Sequence, residues 1–243
     1  MCVFLSLRAD KANLQKRFDA AFIEEELFGP KYVQSAFEFP RWPVIASGHP
    51  GQIRLMNWGL IPAWVQDRES ALKIRINTVN ARVETIHEKP AFRKAAAERH
   101  CLVLADGFYE FREHQGKKYP YFIRVIEGRL FALAGLYENW TDHSTGEIIP
   151  TFSILTTQAN PLMEVIHNRK KRMPVILHQE DEKGWLNPGI SILPGLFPEE
   201  QMEAWPVSGL LTSRNPGRNS PEVQERVDYP ELSGNDREQG RLF

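Results

Sequence analysis

The sequence of 243 residues is long enough to bury one sizeable core, and its 42% hydrophobic and 25% charged residues are typical of a globular protein. The net charge of −1 argues against a surface that is basic throughout, and two cysteines imply no disulfide framework. No stretch approaches the ~20 consecutive apolar residues of a transmembrane helix, and the short apolar start lacks the positive leader of a secretory signal. We therefore expect a cytoplasmic protein that does not bind a membrane.

The charges are unevenly distributed along the chain. From Pro194 onward there are nine acidic and five basic residues, a balance of −4, so the preceding residues carry +3 of the total of −1. Basic residues cluster at positions 93–94, 117–118 and 169–172. Such clusters are common on solvated surfaces, but a groove for a nucleic-acid backbone would use the same residue types. Composition leaves both readings open.

The first half of the chain combines a helical pattern with short apolar segments. Residues 2–8 are mostly apolar and predict a short buried strand. Apolar residues at helical spacing predict a helix over about 11–28, ended by Gly29 and Pro30. Frequent proline and glycine residues divide 33–56 into predicted short strands.

Two further helices are predicted before residue 100. Asn80 and Arg82 are expected on a loop that enters one of them. Pro90 predicts the start of the other, which continues through Arg99.

Aromatic and β-branched residues dominate the next segments, which predict strands. Residues 101–111 predict a strand that is broken at 106–107 and resumes as a strand presenting Glu110. Residues 119–140 predict a hairpin with its turn at 127–128.

The remaining elements complete an α+β pattern. Residues 151–157 and 173–177 predict strands, and Asn160 is expected to cap a helix that runs to about His167. Beyond Gly189 we expect an extended tail wrapped on the domain rather than a second core. The predicted fold is a single α+β domain with a curved, mainly antiparallel β-sheet or open barrel and flanking helices.

Several classes of site are excluded by their missing motifs. The sequence has no C-x-x-C, no H-E-x-x-H and no two histidines four residues apart, so we expect no metal. It also lacks a glycine-rich phosphate loop, a dinucleotide fingerprint and G-x-S-x-G, and we expect no cofactor.

Cys2 is the strongest candidate nucleophile. Removal of Met1 would leave Cys2 with an α-amine and a thiol on adjacent carbons, whose ordinary pKa values are about 7.7–8.0 and about 8.5. Such a 1,2-aminothiol can trap an aldehyde first as an imine and then as a thiazolidine ring. A lone cysteine near a terminus is, however, usually incidental.

Four dispersed polar residues are candidate partners of this nucleophile, and each has a structural alternative. Glu110 lies in an aromatic run, where a carboxylate is costly to bury unless it is paired or functional. His167 ends a predicted helix, whose dipole favours an imidazolium. Asn80 is equally consistent with a helix cap, and Arg82 with a surface position.

An ordered set of segments resembles the SRAP (SOS response-associated peptidase) family. In chain order these segments are MC, WGLIPAW, NAR, FR, CLVLADGFYEF, ILTTQAN, IH followed by RMPVIL, and NPGRNSPE. A single piece such as NAR has little specificity, but the ordered set extends from residue 2 to about residue 222 and is highly specific. The resemblance implies an SRAP domain over 2–230 and a C-terminal tail over 231–243.

The family resemblance also implies a function. It predicts a monomeric abasic-site sensor that cross-links covalently to ring-opened abasic sites in single-stranded DNA and is associated with the nucleoid when bound. In this reading Cys2 is the cross-linking nucleophile, Asn80 orients its amine, and Glu110 and His167 are catalytic. The implied DNA-binding residues are Arg82, Trp58, Pro40, Trp64, Thr156, Arg172 and Met173.

The chain departs from the family pattern at three places. It starts MCVFL where the usual start resembles MCGRF, so a glycine and a DNA-facing arginine are missing. The segment HNRKKRMP has three more residues between His and RMP than the common HDRMP. Phe111 stands where a tryptophan is common.

Two other functions remain compatible with the sequence. Cys2 would also suit an N-terminal-nucleophile peptidase or amidohydrolase, and the family name is consistent with self-removal of Met1. Imine chemistry would further allow strand nicking of the lyase type. In the second alternative, the protein is a non-catalytic single-strand binder that binds intact and abasic DNA equally and forms no adduct.

Overall fold

A computed structural model describes residues 2–23, 27–187, 195–213 and 216–232. In these ranges, the chain forms a series of short helices and thirteen strands. The α-helices are α1 (Lys11–Phe18), α2 (Arg68–Arg75), α3 (Arg93–Glu98), α4 (Pro161–Ile166) and α5 (Glu182–Trp185). The strands are β1 (Phe4–Leu7), β2 (Ala21–Phe22), β3 (Lys31–Ser35), β4 (Arg41–Ala46), β5 (Gln52–Trp58), β6 (Asn80–Arg82), β7 (His100–Ala105), β8 (Gly107–His114), β9 (Lys117–Val125), β10 (Phe131–Thr141), β11 (Ile148–Gln158), β12 (Arg172–Pro174) and β13 (Met202–Pro206).

Five strands close into a barrel. The strands β5, β4, β7, β10 and β11 follow one another through antiparallel pairs, and β11 then pairs with β5 in parallel. At this closure Phe152 lies opposite Trp58, and their rings stack with centroids 5.9 Å apart. The strands β6 and β12 add to β11, and β2 adds to β5. The predicted single α+β domain with a mainly antiparallel sheet is confirmed.

A second sheet has the strand order β13-β9-β8-β1-β3. The predicted buried strand at the start of the chain is β1, which lies between β8 and β3. The predicted break at 106–107 is also confirmed, because the chain passes there from β7 of the barrel to β8 of the second sheet. The Asp106 carboxylate fixes this corner by accepting hydrogen bonds from Ser6 Oγ (2.6 Å) and Arg8 N (2.7 Å).

Three buried tryptophans fill much of the core. The side chains of Trp42, Trp58 and Trp140 are each at most 2% exposed. Each indole N–H donates to a backbone carbonyl, at 2.8, 2.9 and 2.7 Å respectively. These bonds remove most of the cost of burying the polar end of an indole, so the apolar area contributes to stability.

The helix predicted over about 11–28 is wrong in its second half. Asp10 caps α1 by accepting from Asn13 N, but the helix ends at Phe18 because Asp19 adopts a left-handed conformation (φ 49°). The backbone then pairs with β5 as β2. Residues 24–26 lie outside the described ranges. The helix predicted from Pro90 begins three residues later, as α3.

The hairpin predicted over 119–140 is also wrong. The turn at 127–128 does join two strands, but β9 pairs with β8 and β13, whereas β10 pairs with β7 and β11. Both edges of each strand are therefore occupied by other partners. The turn connects the two sheets instead of closing a hairpin.

The expectation of an extended tail wrapped on the domain after Gly189 is confirmed only in part. Phe197, Met202 and Leu232 pack into the main core, whereas Val207, Leu211 and Val223 join a smaller cluster against the second sheet. The described residues of this region therefore pack on the two sheets and have no core of their own. Residues 202–206 are, however, not an extended tail but β13, an edge strand on β9. Residues 233–243 lie outside the described ranges, so the boundary at 230 stays a prediction. Among the helices described, none has the length and apolar character needed to cross a membrane.

Gly107 tests the packing of the corner between the sheets. A Cβ at this position would lie 2.3 Å from two ring carbons of buried Phe122 and 3.1 Å from the Ile123 carbonyl oxygen. We expect Gly107→Ala to lower the free energy of unfolding by about 1–3 kcal/mol, as overpacking usually does. Gly184→Ala, which meets no atom within 4 Å, is the control in urea unfolding. Equal midpoints for the two variants would contradict this prediction.

Candidate active site

Cys2 lies two residues before the first residue of β1, with its side chain buried. In the antiparallel pairing of β1 with β8, Phe4 lies opposite Tyr109. The residues that precede Phe4 therefore run beside those that follow Tyr109, of which Glu110 is the first. The strand pairing thus brings together the candidate nucleophile Cys2 and the candidate acid–base residue Glu110, which are 108 positions apart in the chain.

Asn80 reaches Cys2 from the other sheet. The predicted loop entering a helix is wrong, because Asn80 and Arg82 lie on β6, which pairs in parallel with Ile154–Thr156 of β11. The Asn80 Nδ2 atom donates to the Cys2 carbonyl oxygen at 2.8 Å. Its Oδ1 atom is buried and has no hydrogen-bond partner within the described ranges. An acceptor is therefore available next to the backbone of Cys2.

Glu110 and His167 are buried beside each other. The His167 Nε2 and Glu110 Oε2 atoms are 3.9 Å apart, and both residues are less than 10% exposed. His167 Nδ1 lies 2.8 Å from the Arg172 carbonyl oxygen. A carbonyl only accepts, so we assign a proton to Nδ1 on this shorter contact rather than on the 3.4 Å contact from Arg172 N, and Nε2 faces Glu110. A histidine in this arrangement can exchange protons with the carboxylate.

The position of His167 follows from the predicted helix cap. Asn160 caps α4 as expected, with its Oδ1 accepting from Met163 N at 2.9 Å. The Asn160 Nδ2 atom also donates to the Phe197 carbonyl oxygen at 2.9 Å. These two bonds anchor the helix start, and His167 is the first residue after its end. Its imidazole bonds outside the helix, so capping is not the role of the side chain.

Burial raises the pKa of the Cys2 thiol far above its ordinary value, and the nearby Glu110 carboxylate raises it further. The thiol therefore remains protonated near neutral pH. A thiolate is the reactive form of cysteine, so this thiol is not an activated nucleophile in the folded protein.

Arg82 and Arg172 lie on opposite edges of β11. Arg82 of β6 is exposed and pairs in register with Thr156, whereas Arg172 of β12 pairs with Gln158. The Arg172 Nη2 atom donates to the carbonyl oxygen of Thr156 at 2.5 Å and to its hydroxyl at 3.2 Å. Two cationic side chains thus flank the same end of the strand.

The other predicted DNA-contact residues fall into two groups by exposure. Trp58 and Met173 are buried in the core, so the prediction that these side chains contact DNA does not fit their positions. Pro40 is half-buried and accepts a backbone bond from Trp58 N at 2.9 Å. Trp64 is 58% exposed. It is the tryptophan of the pair that is open to a ligand.

Two contacts near the site were not anticipated from the sequence. The carboxylate of Glu84, which lies in the turn directly after β6, binds the guanidinium of Arg172. Asn168 forms two hydrogen bonds with the backbone of Glu113 on β8, at 3.1 and 2.8 Å. This contact docks the longer segment after His167 on the strand that carries Glu110.

Two departures from the family pattern contact each other. Phe4, in the unusual start of the chain, packs against Phe111 with the rings 6.2 Å apart at 64°. An edge-on aromatic contact therefore occupies the surroundings of Cys2 at these positions.

A family model described as SOS response associated peptidase (SRAP) matches residues 1–213. The chain belongs to this family. A protein named abasic site processing protein YoqW, from Bacillus subtilis, is 42% identical over 233 residues, covering 93% of this chain and 99% of its own. Abasic site processing protein HMCES of Xenopus tropicalis is 30% identical over 203 residues, covering 74% of this chain and 58% of its own.

Solved structures share the SRAP fold described above. A protein from Bacteroides thetaiotaomicron is 38% identical with a TM-score of 0.86, covering 93% of this chain and all of its own. One from Bordetella bronchiseptica is 27% identical with a TM-score of 0.73, covering 85% of this chain and all of its own. Within the described ranges, no group of three His, Cys, Asp or Glu side chains is arranged to hold a metal ion.

The buried thiols give a direct test of the site electrostatics. Burial raises the pKa of Cys101 as well as that of Cys2. In the chain that retains Met1, we expect neither thiol to react with a chromogenic disulfide reagent at pH 8. In guanidinium chloride both should react, because about a quarter of an ordinary thiol is ionised at that pH. One rapidly reacting equivalent in the folded protein would contradict the burial of Cys2.

Proposed function

We propose that this protein processes abasic sites by capturing the ring-opened sugar covalently in single-stranded DNA. The observation that carries the proposal is the convergence of Cys2, Asn80, Glu110 and His167 where the two sheets meet. The names of its SRAP relatives support the same substrate. We further propose that the protein acts as a monomer, without a cofactor, in the cytoplasm and on the nucleoid.

The chemistry requires Cys2 at the N-terminus, so Met1 must first be removed, either by another enzyme or by self-cleavage. The free amine then has an ordinary pKa of about 7.7–8.0 and is partly neutral near pH 7.5. The thiol is protonated because its pKa is raised. The amine is therefore the first nucleophile, and the orphaned Oδ1 of Asn80 is suited to accept one of its hydrogens.

Glu110 is suited to move protons at the sugar. The closed sugar opens when a proton leaves its hydroxyl and another reaches the ring oxygen, and the amine then adds to the aldehyde carbon. The resulting carbinolamine loses water to form the imine. We assign these transfers to Glu110, with His167 Nε2 at 3.9 Å as a second proton carrier.

Ring closure uses the thiol. The sulfur forms a bond to the imine carbon, its proton leaves towards the Glu110 carboxylate, and the nitrogen is protonated as it becomes an amine again. The aldehyde, amine and thiol thereby give a thiazolidine and one water. Before closure, the same imine permits elimination of the neighbouring phosphate, which would produce lyase-type strand nicking.

The bound strand requires contacts that ignore sequence, because the lesion has no base to read. Arg82 and Arg172 are suited to phosphates, which makes the affinity salt-dependent. The exposed ring of Trp64 is suited to stack on an unpaired base. Trp58, Met173 and Thr156 would support this surface from beneath, and Pro40 lies at its border.

The first test is formation of an adduct with single-stranded DNA that carries one abasic site. We expect a covalent product that survives denaturing electrophoresis for the wild type and for the control variant Cys101→Ala, but not for Cys2→Ala. A chain that retains Met1 should also be inactive, as mass spectrometry of its N-terminus can establish.

An equally stable adduct with Cys2→Ala would contradict the thiazolidine mechanism. Equal affinity for intact and abasic strands without any adduct would instead favour a non-catalytic binder. Cleavage of peptide or glutamine substrates in the absence of DNA would favour the N-terminal-nucleophile hydrolase.

Glu110→Gln separates proton transfer from electrostatics. Removing the carboxylate lowers the pKa of the Cys2 thiol, which alone would speed the reaction, but it also removes the proton acceptor. We expect the single-turnover rate of adduct formation to fall by about 10²–10⁴-fold at saturating DNA. Glu113→Gln, on the outer part of the same strand, is the control and should change the rate less than twofold. An unchanged or faster rate for Glu110→Gln would contradict its role.

A further inference from the structure

The guanidinium of Arg172 is already occupied by an internal anion. Glu84 binds it at two points, with Nη1–Oε1 at 2.5 Å and Nη2–Oε2 at 3.0 Å. The same Nη2 atom also donates to the carbonyl oxygen and the hydroxyl of Thr156 inside the fold. The Arg172 side chain is 11% exposed and that of Glu84 is 42% exposed. The outward donors of Arg172 therefore face one carboxylate that is itself accessible to solvent.

Glu84 lies between two arginines. The backbone stays paired with β11 just beyond β6, where Val83 N donates to the Thr156 carbonyl oxygen at 3.1 Å. The chain then turns, with Thr85 N donating to the Arg82 carbonyl oxygen at 3.0 Å, so Glu84 lies in the turn directly after β6. Hydrogen bonds from Arg172 lower the pKa of Glu84, and the charges of Arg172 and Arg82 lower it further. Glu84 is therefore ionised wherever DNA binding is measured near neutral pH.

A carboxylate and a phosphodiester compete for the same guanidinium geometry, because both accept two parallel N–H bonds. We propose that Glu84 is a competing internal anion that occupies the anion-binding face of Arg172 until a backbone phosphate of the bound strand displaces it, and so lowers the affinity for single-stranded DNA. This inference rests on the proposed function, because it takes single-stranded DNA as the ligand.

The exchange fits the energetics of the pair. An ion pair with so exposed a carboxylate contributes little net stability, so a phosphate can replace it. The bonds to Thr156 keep Arg172 in position after Glu84 leaves. The competition weakens phosphate binding equally for intact and abasic strands. It thereby shortens occupancy on intact DNA, and the covalent step selects the lesion.

The test compares Glu84→Gln with a matched surface variant. Glu69→Gln removes the same charge from an exposed pair with Lys73 on α2 and is the control. The dissociation constant for intact, unmodified single-stranded DNA is measured by fluorescence anisotropy over a range of salt. We expect Glu84→Gln to bind about fivefold tighter at low salt, with a log–log salt slope steeper by about 0.7, as for one more phosphate contact. Glu84→Asp, whose shorter carboxylate withdraws from the guanidinium, should gain less.

A second readout connects affinity to selectivity. Excess intact single strand should suppress adduct formation on abasic DNA at a lower concentration for Glu84→Gln than for the wild type. The gain in affinity should disappear in Glu84→Gln/Arg172→Gln.

The proposal would be overturned if Glu84→Gln bound DNA with the same affinity as the control or more weakly than the wild type. Glu84 would then serve only to position the Arg172 side chain. A gain that persists without Arg172 would overturn it too, because general charge would explain it. Failure of the proposed function has a different signature: the wild type would form no adduct with abasic DNA, whatever the affinities for intact DNA.

Discussion

The site depends on the backbone of β11, whose two edges are almost fully paired. One edge carries β10 and then β12, and the other carries β5 and then β6. The pairing with β5 closes the barrel, and the later pairings set the positions of Asn80, Arg82 and Arg172. A shift of register by one residue would turn these side chains to the opposite face. One strand therefore determines both the closure of the barrel and the geometry of the candidate DNA surface.

Two of the candidate catalytic residues come from the second sheet. Cys2 enters through β1 and Glu110 through β8, while His167 follows the end of α4. The hydrogen bond from Asn80 Nδ2 to the Cys2 carbonyl joins the two sheets at this point. Burying several ionisable groups together is costly, and such clusters are characteristic of functional sites. Here the burial also keeps the Cys2 thiol protonated, and in the proposed mechanism the first attack is therefore left to the amine.

Folding neutralises part of the positive charge that clusters in the sequence. The sequence shows basic clusters, but the structure pairs many of their members with carboxylates, as with Arg169 and Glu113 or Arg172 and Glu84. Exposed pairs of this kind are weak and exchangeable. Under the function proposed above, such a surface binds a nucleic-acid backbone loosely and leaves selection of the lesion to the covalent step.

The sequence by itself determined the features that depend on near neighbours or on residue identity. The Asn160 cap, the break at Asp106–Gly107 and the order of the motifs that place the chain in the SRAP family were all readable from it. The tertiary structure alone decided that Asn80 lies on a strand and that β9 and β10 do not form a hairpin. It also decided that Trp58 is buried and that Glu84 meets Arg172, 88 positions away. A cap is satisfied within three residues, whereas strand partners and ion pairs are chosen among segments distant in the chain, where local propensity carries no information.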